Sequence, residues 1–367
     1  MTSVLRECVR LGFLAFAVCA AAAQASAQAP FYKGKKVTLL VNFDAGSATD
    51  IDARIFARHF VKHIEGQPNL VVQNMAGAGG VNGTLYLGEV APKDGTTIGF
   101  LTATAWNYAS QPDKFRTDFR TYTFVGYTGG TAVYYVRKDV PPGINKPEDL
   151  IKVPALISGG VAAHTGRDIS IRLTLDILGI PSRHVTGYRS GERARLALLR
   201  NEIQLYADTT PGYRGAVVPT LVKDGIVIPL WFDPRWDGKK FGVSKQVEGL
   251  NLMPFQEYYQ KVRGKKPSGF LWDTYLALIT LNGAMQRIIA LPPGAPPAAV
   301  TALRAALNKL NHDKEFAADA MKTLGFVPEY DADAGTPNEI RSALVVSPEI
   351  RKFIPGYIKK GSATKKK

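Results

Sequence analysis

Beyond position 19 the chain contains no cysteine; its only two, Cys8 and Cys19, lie in the first 27 residues. If that segment is removed, the mature chain has no disulfide, no thiolate nucleophile and no thiolate metal site. No G-x-S-x-G elbow is present, so a serine nucleophile lacks its usual strand-to-helix frame, and Ser158 has no evident base. After the first segment no apolar run approaches the ~20 residues of a membrane span. No short-period internal repeat is visible. Acidic residues are in deficit, at 31 against 46 Lys and Arg, for a formal charge of +15. In an exported protein that balance points to anionic ligands or an anionic surface rather than to nucleic acid. Part of it is a C-terminal run including Lys365, Lys366 and Lys367, expected to be a frayed basic tail over 358–367.

The first residues read as a targeting segment. Arg6 and Arg10 form a basic start, 11–23 an apolar stretch, and Ala25-Ser26-Ala27 a small-residue cleavage site, so export with cleavage after Ala27 is expected. The net charge then falls only to +14, because Arg6, Glu7 and Arg10 leave together. Phe16-Ala-Val-Cys19 is a poor lipid-attachment signal, which favours a soluble product over an anchored one.

The stretch that organises the mature chain is Val37 to Arg54, read as strand, small-residue loop and helix start. Ala45, Gly46, Ser47 and Ala48 allow close backbone approach. Thr49 with Asp52, or Ser47 with Asp50, has capping-box spacing. The free N–H groups of such a helix start form an anion site. A second stretch repeats the design: Leu70 to Val72 as strand, then Asn74 to Gly83 opening another helix. Two such loops suggest two backbone clamps on one ligand, whereas an ordinary βα turn with no ligand is the plainer alternative. Further on, 96–105 reads as a strand ending in Thr102 and Thr104 beside Trp106, and 133–136 as a strand on which Tyr134 and Tyr135 face opposite ways. Leu156 to Gly160 is a third strand with a small loop; helices follow over 167–178 and 192–200, and strands over 203–207 and 226–232. The alternation argues for α/β layers. The segment 233–269 is polar, basic and unassigned.

Taken together, these residues resemble the Bug-type (TctC) substrate-binding proteins of tripartite tricarboxylate transporters. The matching text is Leu40-Val-Asn-Phe-Asp-Ala-Gly-Ser-Ala-Thr-Asp50, Gln73-Asn-Met-Ala-Gly-Ala-Gly-Gly80, Pro92-Lys-Asp-Gly95, Ser158-Gly-Gly160, His184-Val185 with Tyr188, Asp208, and Ala290-Leu-Pro-Pro-Gly-Ala-Pro296. The resemblance spans nearly the whole mature chain. It implies a two-lobed α/β fold of the periplasmic-binding-protein type (type II) with a central ligand cleft. On that basis the lobes are expected at 28–129 plus 270–357 and at 130–269. It also implies a small carboxylate ligand held largely by backbone amides, a monomer that delivers it to membrane transporter subunits, no cofactor and no chemistry on the ligand. The ligand site is expected at Gly46, Ser47, Ala48, Thr49, Asp50, Gly77, Ala78, Gly79, Gly80, Thr102, Thr104, Ser158, Gly159 and Asp208, with Arg167 and Arg189 as candidate electrostatic partners. The chain departs from the pattern at Asp44, Ser47 and Ala76, where Pro, Gly and Pro are usual. It also departs over Val161 to Arg167, where a Ser and a His often stand, and in the length of 233–269.

Two other readings compete. Gly77 to Gly83 follows a strand and opens a helix, like a loosened dinucleotide fingerprint, which would make the chain an exported nicotinamide- or flavin-linked oxidoreductase. Against it, the last glycine is one residue late, and the acidic residue at the expected distance, Asp94, sits in a Lys-Asp-Gly turn. His59 and His63 have the spacing of two zinc ligands, but Phe60 stands where a hydrolytic zinc helix needs glutamate, so a solvated basic face beside Arg58 and Lys62 is expected and no metal.

Overall fold

The computed structural model describes residues 29–188, 190–236 and 239–364; the targeting segment and Arg189 lie outside the described residues. The chain forms two mixed sheets. In the first, β1 (Lys36–Val41), β2 (Asn69–Asn74) and β3 (Thr97–Thr102) are parallel, in the order β2-β1-β3. The sheet is completed by β13 (Arg287–Leu291), antiparallel to both β3 and β4 (Thr123–Thr128). Parallel neighbours require crossover helices, and α1 (Ala48–His63) and α2 (Val81–Glu89) supply them. Ile55, Phe56 and Phe60 on one stripe of α1 are buried in the same core as Val37, Leu39 and Val41 of β1. Two late helices, α8 (Pro297–Leu310) and α9 (Lys314–Leu324), close that core through Leu303, Leu307 and Phe316.

The second sheet has the order β12-β9-β5-β8-β6-β7-β14. Its centre comprises β5 (Ala132–Arg137), β6 (Leu156–Gly159), β7 (Ser182–Thr186), β8 (Leu205–Thr209) and β9 (Val227–Phe232). The edges are two short strands, β12 (Met253–Pro254) and β14 (Ser362–Thr364). Helices α4 (Gly166–Ile177), α5 (Gly191–Leu199), α6 (Phe255–Arg263) and α7 (Phe270–Ile279) go with this sheet. The unassigned segment thus holds a two-residue hairpin, β10 (Arg235–Trp236) and β11 (Phe241–Gly242), followed by β12 and α6.

Some expectations shift. Helix α7 packs against α4 on the second sheet, so the side chains from 270 to 279 do not accompany the first sheet. The C-terminal helix α11 (Pro348–Gly361) also docks there: Arg172 donates to the Tyr357 carbonyl at 2.5 Å and stacks on its ring, and β14 pairs with β7. Residues 358–364, expected as part of a frayed tail, are therefore helix and strand, and 365–367 lie outside the described residues. Strand β3 ends at Thr102, and Thr104 and Trp106 belong to a short helix, α3 (Thr104–Ser110). The turn is made at Ala103, held at φ 60°. Ser47, not Thr49, caps α1, and Asp50 is the acidic partner. Among the described residues no helix is long and apolar enough to cross a membrane.

Candidate functional site

A cleft of about 290 Å³ lies between the sheets, near the lower end of the ~300–1,000 Å³ usual for small-molecule sites. Three helices begin on it: α1 at Ser47, α4 at Thr165 and α5 at Ser190. In each, the cap hydroxyl accepts from the N–H three residues on: Asp50 at 3.2 Å, Asp168 at 3.3 Å and Arg193 at 3.3 Å. That leaves the earlier N–H groups of Ala48, Thr49, Gly166 and Arg167 without a protein acceptor among the described residues. Unpaired N–H groups and the positive ends of helix dipoles both favour an anion.

Arg167 strengthens the same preference. Its side chain is 24% exposed, donates to Tyr206 Oη at 3.2 Å, and stands 3.8 Å from Asp208. Burial would lower its pKa, but the Tyr206 hydroxyl and Asp208 outweigh it, so the guanidinium stays charged. The other two arginines on the cleft are taken. Arg195 pairs with Asp208 at 3.0 Å, and Arg287 with the buried Asp52 at 2.9 Å. Among the described residues, Arg167 is the cleft guanidinium with donors to spare. Thr102 Oγ1, on the opposite wall, is buried and has no hydrogen-bond partner among the described residues.

The cleft also holds an acid with no cation. Asp233, just after β9, accepts from Tyr275 Oη at 2.8 Å and Tyr134 Oη at 3.1 Å, with Ser170 Oγ at 3.4 Å. Burial pushes its carboxyl up to about 7, against the pull of those three hydroxyls. The folded state therefore binds this proton more tightly than the unfolded chain, whose aspartate titrates near ~4. The stability this confers is complete below the unfolded value and is lost as pH rises through about 7. Asn at 233 does not titrate. Relative to wild type, Asp233→Asn is expected to gain about 1.4 kcal/mol between pH 6 and pH 8, read from urea unfolding midpoints at both values. A gap that does not change with pH would refute a raised Asp233.

Of the expected site residues, Gly46, Ser47, Ala48, Thr49, Thr102 and Asp208 line the cleft. The others do not. Asp50 turns inward, with its side chain 3% exposed, and accepts from the Gly46 N–H at 2.8 Å, Arg54 and Asn74. The Gly46 amide is thereby spent on the protein itself. The loop Gly77, Ala78, Gly79 and Gly80 does not line the cleft: Gly77 and Ala78 are exposed, and His164 sits against Gly79. A Cβ at position 79 would stand 2.7 Å from His164 Nε2, and Trp106 Nε1 donates to the His164 carbonyl. The loop's carbonyls are engaged as well: Gly79 accepts from Asn107, and Gly80 from Asn42 and Thr84. Thr104 is bonded into the same cluster, 2.9 Å from Thr84 Oγ1. One of the two anticipated clamps therefore faces the cleft and the other does not.

Ser158 and Gly159 lie beneath the cleft floor. Contrary to expectation, Ser158 has a base: its Oγ is 2.9 Å from His184 Nδ1, and His184 Nε2 is 3.1 Å from Asp168. The arrangement has the outline of a serine triad, but Ser158, His184 and Asp168 are all 1% exposed or less, so no substrate reaches it. Tyr134 and Tyr135 are both buried, and neither lines the cleft; each donates from behind to a cleft carboxyl, Asp233 and Asp208 respectively. His59 and His63 are not a solvated face. They pair with Asp319 and Asp313 of the α9 region at 3.0 and 2.8 Å. His59, Asp313 and Glu315 bring possible ligand atoms within 4.8 Å of one another, but Lys62 already neutralises Glu315 at 2.8 Å. Asp94 caps a local turn through Thr96.

Sequence reasoning missed Thr165, Ser170, Arg195, Asp233 and Arg287. Thr165-Gly-Arg-Asp168 carries the capping signature and could have marked a third helix start. Asp233 and Arg287 carry no local signal.

No family model matches the chain. The protein BugT of Bordetella pertussis is 38% identical over 88 residues, 24% of this chain and 26% of that protein; the match thus spans about a quarter of its length. Among solved structures, a TctC solute binding protein from Polaromonas superposes with a TM-score of 0.61 at 20% identity, covering 90% of this chain and 99% of the other. A Rhodopseudomonas palustris protein solved with adipate gives 0.62 at 18% identity, covering 90% and 99%. MatC from Rhodopseudomonas palustris, solved with malate, gives 0.58 at 18% identity, covering 88% and 99%. The chain shares the fold of these proteins.

Proposed function

We propose that this chain, built on the fold of the Bug and TctC binding proteins, is an exported solute-binding protein. It captures a small organic carboxylate, of the di- or tricarboxylate or aromatic acid class, and hands it to a tripartite tricarboxylate-type transporter in the membrane. The observation that carries the reading is the convergence of helix starts α1 and α4, with unpaired N–H groups, on a cleft whose Arg167 has no full counter-ion. The carboxylates in the adipate and malate structures support the ligand class. The targeting features of the first 27 residues support export to the periplasm. Lobe closure over the ligand is a population shift driven by contacts to both walls. The oxidoreductase reading is less favoured, since the glycine loop it needs is not part of the cleft and has His164 against Gly79.

The test is a thermal-shift screen against mono-, di- and tricarboxylates. A ligand at a hundred times its Kd adds about 2.7 kcal/mol to stability, which is a clear rise in Tm. Stabilisation by sugars or amines and by no acid would overturn the ligand class. A sharper test removes one donor. Ala48 is the first residue of α1, where proline is well tolerated, and Ser47 before it is already extended at φ −70°, ψ 162°. Ala48→Pro is expected to keep the melting temperature within a degree or two and to weaken carboxylate binding about tenfold, the worth of one amide hydrogen bond to a charged group. Calorimetric titration of both proteins checks it; equal affinities would mean that this N–H does not meet the ligand.

A further inference from the structure

The solute-binding reading does not use Asp233, whose place in the cleft wall is unlike that of its neighbours. Asp208 is matched by Arg195 and Tyr135, and Asp52 by Arg287. Asp233 meets hydroxyls only: Tyr134 from β5, Ser170 from α4 and Tyr275 from α7. The charged groups around it on the cleft are Arg167 of α4, Arg195 and Glu192 of α5, Asp208 at the end of β8, and Arg287 of β13 on the far wall. None of them forms an ion pair with it. Two of its three donors are linked to each other: Ser170, 2.5 Å from Tyr134, can pass its hydrogen to that phenol while Tyr134 serves Asp233. The group is thus a buried acid that faces the cleft, lacks a cation and is held ready in either protonation state.

We propose that Asp233 is a ligand-facing acid: when an organic carboxylate occupies the cleft, the Asp233 carboxyl takes up a proton and donates it as a hydrogen bond toward the anion, so that binding consumes a proton. The inference rests on the solute-binding reading and deepens it. The reason is electrostatic. An anion a few ångströms from an unpaired carboxylate in a half-buried cleft repels it, and protonation converts that repulsion into a donor. The ligand class follows: the cleft accepts anions at the helix starts and offers a neutral acid, not a fixed negative charge, at the far end. Proton uptake spans the physiological range because the burial of Asp233 already holds it near 7.

The experiment is calorimetric titration of the mature protein in buffers of different ionisation enthalpy, using whichever carboxylate gives the largest thermal shift, with malate and adipate among those screened. Wild type is expected to take up about half a proton per ligand at pH 7, rising toward one at pH 8, with affinity about 25-fold weaker at pH 8.5 than at pH 6.5. Asp233→Asn abolishes the uptake and flattens the profile. Tyr275→Phe, which deletes one donor to the ionised carboxylate, moves the midpoint to higher pH. Binding without proton uptake in wild type overturns this inference and leaves the solute-binding reading standing. Proton release on binding also overturns it, since it signals a cationic group on the ligand meeting an ionised Asp233. Uptake that persists in Asp233→Asn assigns the proton elsewhere and overturns it too. A screen in which no carboxylate binds removes the solute-binding reading, and this inference with it.

Discussion

Replacing Arg167 with alanine is expected to weaken carboxylate binding by about 100-fold while leaving the fold intact. The affinity term follows from burial. Truncating one partner of a buried, hydrogen-bonded charge pair costs ~2–5 kcal/mol, or roughly 30-fold and upward. Arg167 forms such a pair only when a ligand is present, because its nearest carboxylate, Asp208, stands at 3.8 Å and belongs to Arg195 and Tyr135. The stability term is small for the same reason: removing Arg167 orphans no buried acid. The Tyr206 hydroxyl and, at 3.5 Å, the Ala207 carbonyl lose a partner, at about 1 kcal/mol in all. Arg167→Lys keeps the charge but not the planar fork and is expected to fall between the two. Calorimetry with the screened carboxylate, beside thermal melts of all three proteins, checks this. Retained affinity in the alanine variant would leave the helix starts as the whole anion site.

The sequence made one half of this site legible. The strand, loop and helix over 37–54 are local, and local chemistry decides them: small residues, a capping serine and an acid three residues later. The fold class was legible for a similar reason, since alternating strands and helices leave few architectures. The second loop shows the limit. Gly77 to Gly80 has the composition of a ligand clamp, and its glycines do adopt positive φ. What sets it apart from the first loop is that it lies off the cleft, with His164, 85 positions away, packed against Gly79. No local pattern announces such a contact. Thr104 illustrates a different failure. Its hydroxyl suited a strand end by type, but the chain turns at Ala103 and carries it into α3, where Thr84 and Asn42 claim it. The acid at 233 was invisible because its importance lies in what it lacks. Only the surrounding hydroxyls from three separate elements reveal that no cation arrives.

The buried triad beneath the floor carries the largest expected loss of stability. Asp168→Ala is expected to cost about 3–5 kcal/mol, the sum expected for several buried donors left without an acceptor. The Asp168 carboxylate is 0% exposed and accepts from Thr165 Oγ1 at 2.7 Å, Thr186 Oγ1 at 2.7 Å, the Val161 N–H at 3.0 Å and His184 at 3.1 Å. Alanine would strand four donors where water cannot enter, and each orphan adds about 1 kcal/mol or more. The packing around it is equally committed: a Cβ at Gly160 would stand 1.9 Å from Asp168 Oδ2. Burial would raise this carboxyl, but His184, Thr186 and Thr165 outweigh it and hold it below the usual carboxylate range. Its stabilisation is therefore present above the unfolded pKa and is lost as pH falls through the lowered folded value. The wild-type advantage over Asp168→Ala should accordingly shrink only in strong acid. The loss should also reach the ligand. Asp168 pins the loop 161–165, which carries Thr165 to the cleft and His164 onto Gly79. Weakened carboxylate binding is expected to accompany the lowered urea midpoint. His184→Ala, which removes one of the four donors and leaves the loop contacts to Asp168 in place, should lose stability with a smaller loss of affinity. If Asp168→Ala unfolds within 1 kcal/mol of wild type, the triad is not what holds the cleft floor.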